Sequence, residues 1–177
     1  MVLTSVQSSI QVGVNGPAVW VKVEGKGSFL NSGNFKEFTR EMVNRGFREF
    51  VVDLENCATM DSTFMGTMAG VALRLKDLGH GRLHVVHCGE RSRDLLTSLG
   101  LDQIFTIHAN GSMAPQCELL TERERTNDDA SGQKIDQKRT ILDAHEALCD
   151  VVPENQSKFK DVLAYLREDL QHEAATK

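Results

Sequence analysis

The stretch Val51–Gly66, VVDLENCATMDSTFMG, decides how the rest of the chain is read. Together with Phe50 its first residues make an apolar run of strand type, Phe50–Leu54, followed by a polar crossing, Glu55–Met60. Asp61-Ser62-Thr63 then offers three residues suited to opening a helix. The apolar residues beyond have helical spacing: Phe64, Met68, Val71, Leu75 and Leu78, with Met65, Ala69 and Ala72 running alongside. A buried strand that crosses into so apolar a helix belongs to an α/β domain. Gly66 and Gly70 sit inside that helix, where glycine costs roughly 1 kcal/mol against alanine, and are expected to permit close approach to the sheet.

Toward the N-terminus, residues 8–14 and 18–24 alternate apolar and polar, and Asn15-Gly16-Pro17 between them is turn chemistry, so a hairpin is expected. Trp20, the only tryptophan, is expected to pack on the sheet. Gly25-x-Gly27 lacks the rest of a phosphate-binding fingerprint. Asn31 or Ser32 is expected to cap a helix over 34–45 with Phe35, Phe38, Met42 and Val43 on one face, ended by Gly46. Toward the C-terminus follow a strand over 82–88, a helix over 90–99 with Leu95, Leu96 and Leu99 inward, and a short strand over 105–108. The order β-β-α-β-α-β-α-β implies a mixed sheet with helices packed on it.

At 177 residues the chain has room for one domain and an appendage. Residues 1–117 hold equal numbers of basic and acidic side chains, while 118–177 carry the entire net charge of −5. Neither part is basic, so nucleic-acid binding lacks its electrostatic term. No apolar run is long enough to insert in a membrane, and the first residues do not read as a secretory signal. Cys57, Cys88, Cys117 and Cys149 form no C-x-x-C pair, which argues against zinc and a disulfide framework and for a reducing cytoplasm. The division expected is a domain over 1–117, a charged linker over 118–136 and a helical extension over 137–177. In the extension, Ile141, Leu142, Leu148 and Val151 mark one helix. Past Pro153, Phe159, Val162, Leu163, Leu166 and Leu170 mark a second. Each stripe must bury against the domain, a second copy or a partner.

Ser62 is the residue with the sharpest chemical reading. A helix start carries partial positive charge and unpaired N–H groups, so a phosphate on Ser62 would be tolerated there. The competing reading makes Ser62 or Asp61 a simple helix cap. Asp53, Glu55 and Asp61 offer oxygen ligands of the kind magnesium takes, but a strand-end acid, a solvated turn residue and a cap is the preferred reading of them. His84, His87 and Cys88 resemble a metal set only on paper, since strand alternation puts His87 on the opposite side from the other two. The histidines are scattered, so no Ser-His-Asp or Cys-His pairing has local support, and the expectation is no enzyme, no metal and no cofactor.

Strand, DSTFMG, amphipathic helix, strand and then SRDLLTSLGLDQIF resembles the STAS domain of anti-sigma factor antagonists over about residues 8–115. The motif that opens the central helix in that family corresponds to Asp61, Ser62, Thr63, Met65 and Gly66. Its later leucine-rich helix corresponds to Leu95, Leu96, Leu99, Gly100 and Leu101. Phe64 departs from the pattern, since the family often has glycine there. The resemblance implies a STAS-like mixed sheet with packed helices. It also implies an anti-sigma factor antagonist that binds a serine-kinase anti-sigma factor and frees a sigma factor. Phosphorylation at Ser62, with Thr63 as an alternative acceptor, would release the partner, and a metal-dependent serine phosphatase would reset the chain. Partner contacts are expected at Asp53, Asp61, Ser62, Thr63, Phe64 and Met65. The alternative is a constitutive STAS scaffold or subunit of a signalling or membrane-transport assembly with no phospho-switch. The tail carries A-H-x-x-L and E-N-x-x-x-F-K-D-V patterns (Ala144, His145, Leu148; Glu154, Asn155, Phe159 to Val162) seen on other STAS domains. A docking or homodimerisation hairpin is the expectation for it.

Overall fold

Alternation of apolar and polar residues produces an antiparallel pair, β1 (Ser9–Asn15) and β2 (Ala18–Gly27), turned at Gly16 with φ 58°. In this computed structural model, which describes residues 8–108 and 130–175, β2 pairs in parallel with β3 (Glu49–Asp53). β3 pairs likewise with β5 (Arg82–Val86), and β5 with β6 (Thr106–Ile107). The sheet order is β1-β2-β3-β5-β6. The polar crossing contains a further strand, β4 (Cys57–Met60), paired in parallel with the far end of β2. It exists because β2 runs through Gly27, past the expected end at residue 24, and its spare backbone groups need partners.

The helices are α1 (Phe29–Asn44), α2 (Ser62–Asp77), α3 (Glu90–Ser98), α4 (Ala130–Val151) and α5 (Asn155–Ala175). α1 starts earlier than the apolar spacing suggests, because Ser28 is the cap and not Asn31 or Ser32. Ser28 Oγ accepts from the Leu30 N–H, and Asn31 reaches back to accept the Ser28 N–H at 2.8 Å, completing a capping box. Buried Ser32 donates to the Ser28 carbonyl.

One face of the sheet (Val19, Val21, Val23, Phe50, Val52, Leu83 and Val85) meets Phe35, Met42 and Val43 of α1 and Phe64, Met68 and Leu75 of α2 in the main core. The other face carries a small cluster of Ala18, Trp20, Val51 and Val86, with Trp20 buried as its place in the alternation requires. The C-terminal stripes bury against this chain's own domain: α4 lies across α2 and α1, with Ala144, Ala147 and Leu148 buried, and α5 packs on α4. The α2 glycines serve a contact between helices and not the contact with the sheet expected of them. A Cβ on Gly66 would stand 2.2 Å from the Ala144 carbonyl oxygen, so the close approach is to α4 and not to the sheet. No described helix is long and apolar enough to cross a membrane. The expected domain end at residue 117, most of the linker and Cys117 lie outside the described residues.

Candidate functional site at the start of α2

Parallel pairing puts Asp53, Val86 and the end of β2 on one edge of the sheet, and β4 delivers the chain from there to the N-terminus of α2. Asp61 is the cap of that helix. One carboxylate oxygen accepts the Phe64 N–H and the other the Phe29 N–H, both at 2.8 Å, so a single side chain satisfies the starts of α2 and α1. Its own N–H donates to the Gly27 carbonyl at 2.9 Å. Ser62 is therefore the first residue within the helix, and the capping role expected of either residue falls to Asp61 alone.

Relieved of capping, the Ser62 hydroxyl lies 3.0 Å from Nε2 of His145 on α4. Nδ1 of that ring is 2.7 Å from the Ile141 carbonyl, which can only accept. Nδ1 therefore carries a hydrogen toward that carbonyl, which leaves Nε2 to accept the Ser62 O–H. His145 is 4% exposed and stacks edge-on against Phe159 of α5. This pairing was not visible as local sequence, since the residues are 83 apart. One signal did exist: His145 falls between Ile141 and Leu148 on the apolar stripe of its helix, where a polar ring needs a partner.

The other expected site residues divide by depth. Thr63, Phe64 and Met65 are all buried. Phe64 lies over Gly27, where a Cβ would come within 2.6 Å of the ring, and its ring centroid is 5.4 Å from that of Phe35. It anchors the start of α2 and presents no surface. Asp53, also buried, accepts the Glu55 N–H at 2.9 Å and pairs with His87 Nδ1 at 2.9 Å. The oxygen-rich group considered for magnesium is thus not formed as expected: Asp61 is committed to two N–H groups, and His87 takes its place beside Asp53 and Glu55. His84, His87 and Cys88 do not converge, because β5 ends at Val86. His84 joins Glu49 and His108, at 2.8 and 2.9 Å, whereas Cys88 is in the core. Burial pushes the thiols of Cys57, Cys88 and Cys149 above their ordinary range.

A cleft of about 400 Å³ runs between α1, α2 and α4, lined by Thr39, Val43, Gly66, Gly70, Val71 and Ala144 among others. Neither Ser62 nor His145 contributes to it. What the arrangement offers chemically is one hydroxyl at the positive end of a helix, held by a ring from the C-terminal extension.

The family model of the STAS domain matches residues 9–114. A search of curated proteins finds no match. Among solved structures the chain is similar to a protein of Thermotoga maritima provisionally assigned as an anti-sigma factor antagonist, with 19% identity and a TM-score of 0.53 over 58% of this chain and 88% of that one. It is also similar to an anti-sigma factor antagonist from Mycobacterium paratuberculosis, with 16% identity and a TM-score of 0.51 over 59% of this chain and 88% of that one. At these identities the likeness is one of fold.

Proposed function

The chain belongs to the STAS domain family, and on that premise we propose that it is an anti-sigma factor antagonist switched by phosphorylation at Ser62. The reading rests on one observation: Ser62 is the first residue of α2, yet Asp61 does the capping, so the serine hydroxyl is not needed to hold the helix. A phosphate there adds about −1.5 to −2 charges at pH 7. The helix N-terminus tolerates that charge, and the fold survives. A docked serine-kinase anti-sigma factor meets it beside Asp61 and is repelled, which returns the sigma factor to its inhibitor. A metal-dependent phosphatase reverses the change. The chain itself needs no catalytic group, and the setting is the cytoplasm. Asp61 and Ser62 face the partner, while Thr63, Phe64, Met65 and Asp53 support that edge from below.

The test uses full-length Ser62→Ala and Ser62→Asp proteins as baits in lysate of the native cells, with captured proteins identified by mass spectrometry. Ser62→Ala is expected to retain an ATPase of the histidine-kinase-like fold that Ser62→Asp loses at least tenfold, with nearly equal melting temperatures. A second reading, a constitutive scaffold, is favoured by one contact: Ser62 is already engaged by His145 of its own chain. It expects both baits to capture the same partners, and that result would sink the switch.

A further inference from the structure

The surface around Ser62 is occupied by the chain's own C-terminal hairpin. We propose that α4–α5 is an intramolecular competitor for this surface, which must undock before a partner helix can bind there or a kinase can reach Ser62. The inference rests on the reading of Ser62 as part of a partner surface and adds its regulation.

Three observations carry it. First, the Ser62 hydroxyl is bonded to His145, whose ring is buried and oriented by the Ile141 carbonyl, so a phosphoryl donor approaching along that direction meets the ring. Secondly, α2 is cut to receive α4. The nearest atoms to an added Cβ on Gly66 all belong to Ala144, and a Cβ on Gly70 would sit 3.9 Å from that of Ala147. Two glycines inside a helix weaken it, and at Gly66 the space they leave is taken by the α4 backbone. Thirdly, the hairpin is held together independently of the domain. Lys138 pairs with Asp169 at 2.6 Å and with Glu173, Arg167 pairs with Glu146, and His145 rests on Phe159.

Its ties to the domain are both apolar and polar: Ala147 and Leu148 join the main core, and Val152 lies against Gly100. Lys36 pairs with Asp143 at a half-exposed position, and Lys158 and Asn155 donate to the Ser98 and Leu99 carbonyls at the end of α3. The family match ends at residue 114, so the hairpin is an addition to the family fold. A partner that needs the open form binds more weakly by the fraction of molecules that are open, and anything that frees the hairpin restores the affinity.

Two measurements on the full chain test this without a partner. In native-state hydrogen exchange of the unmodified protein, amides in the buried stretch 144–148 are expected to exchange at least tenfold faster than those of β3 and β5, as a separate opening event. In a Ser62→Cys protein treated with 5,5′-dithiobis(2-nitrobenzoate) and read by peptide mass spectrometry, adding Ala144→Arg is expected to speed labelling at position 62 at least tenfold. Exchange of 144–148 together with β3 and β5 in one cooperative event overturns the proposal. So does a labelling rate unchanged by Ala144→Arg. Should that variant fail to fold, the exchange result on the native chain decides alone. Undocking with no phospho-dependence in the bait experiment would sink the partner switch and leave the hairpin's mobility standing.

Discussion

Asp61 holds two helix starts with one carboxylate, and the consequences can be read residue by residue. Removing a cap costs about 0.5–2 kcal/mol, and a hydrogen bond to a charged group is worth about 1.5–3 kcal/mol. Asp61→Ala is therefore expected to lower stability by about 2–3 kcal/mol in urea denaturation, and Asp61→Asn by less, since one oxygen still accepts. Ser62→Ala removes the partner of the buried His145 Nε2 and should cost about 1–3 kcal/mol. Asp61 holds two helix starts and Ser62 holds none, which is the physical reason that position 62 is free to be a switch while position 61 is not. Thiol reactivity follows burial in the same way. Because the folded-state pKa values of Cys57, Cys88 and Cys149 are raised, less thiolate is present at a given pH, and their alkylation should climb only above the ordinary thiol range. Site-resolved alkylation as a function of pH checks this, with guanidine-unfolded protein as the reference.

At the scale of elements, three glycines make different predictions, two of them inside α2 and one at the end of β2. Gly66→Ala improves α2 as an isolated helix by roughly 1 kcal/mol. The new methyl meets a backbone carbonyl that cannot rotate away, so α4 must lift, and faster exchange of 144–148 is the expected outcome. Gly70→Ala meets only the Ala147 methyl at ordinary contact distance, and its melting temperature should hold or rise. Gly27→Ala pushes into the Phe64 ring and is expected to cost about 1–3 kcal/mol by overpacking, measured by thermal unfolding. That last contact also explains the bulky residue at position 64: its ring covers the end of β2 where a smaller side chain would leave a void.

At the scale of the whole molecule, the acidic C-terminal part closes over a domain that is neutral by sequence. Lys138, held well above its ordinary pKa first by Asp169 and then by Glu173, keeps its charge through neutral pH, and that pairing would fade only above the lysine range. The pair lies at the surface of the hairpin, part-exposed and screened by solvent, so Lys138→Ala should shift the melting temperature little. Much of this architecture was legible in the chain. The alternation of β1 and β2, the strand–crossing–helix stretch and the apolar spacing of α2 follow from local periodicity, because one face of each element must leave water. The position of Ser62 at a helix start was legible for the same reason. Tertiary structure decided the rest. Whether Ser28 or Asn31 caps α1, whether Phe64 faces a partner or the core, and which surface Gly66 serves depend on what packs there from elsewhere in the chain. The Ser62–His145 bond is the extreme case: nothing in the sequence around either residue points to the other, and only the docking of α4 on α2 brings the two together.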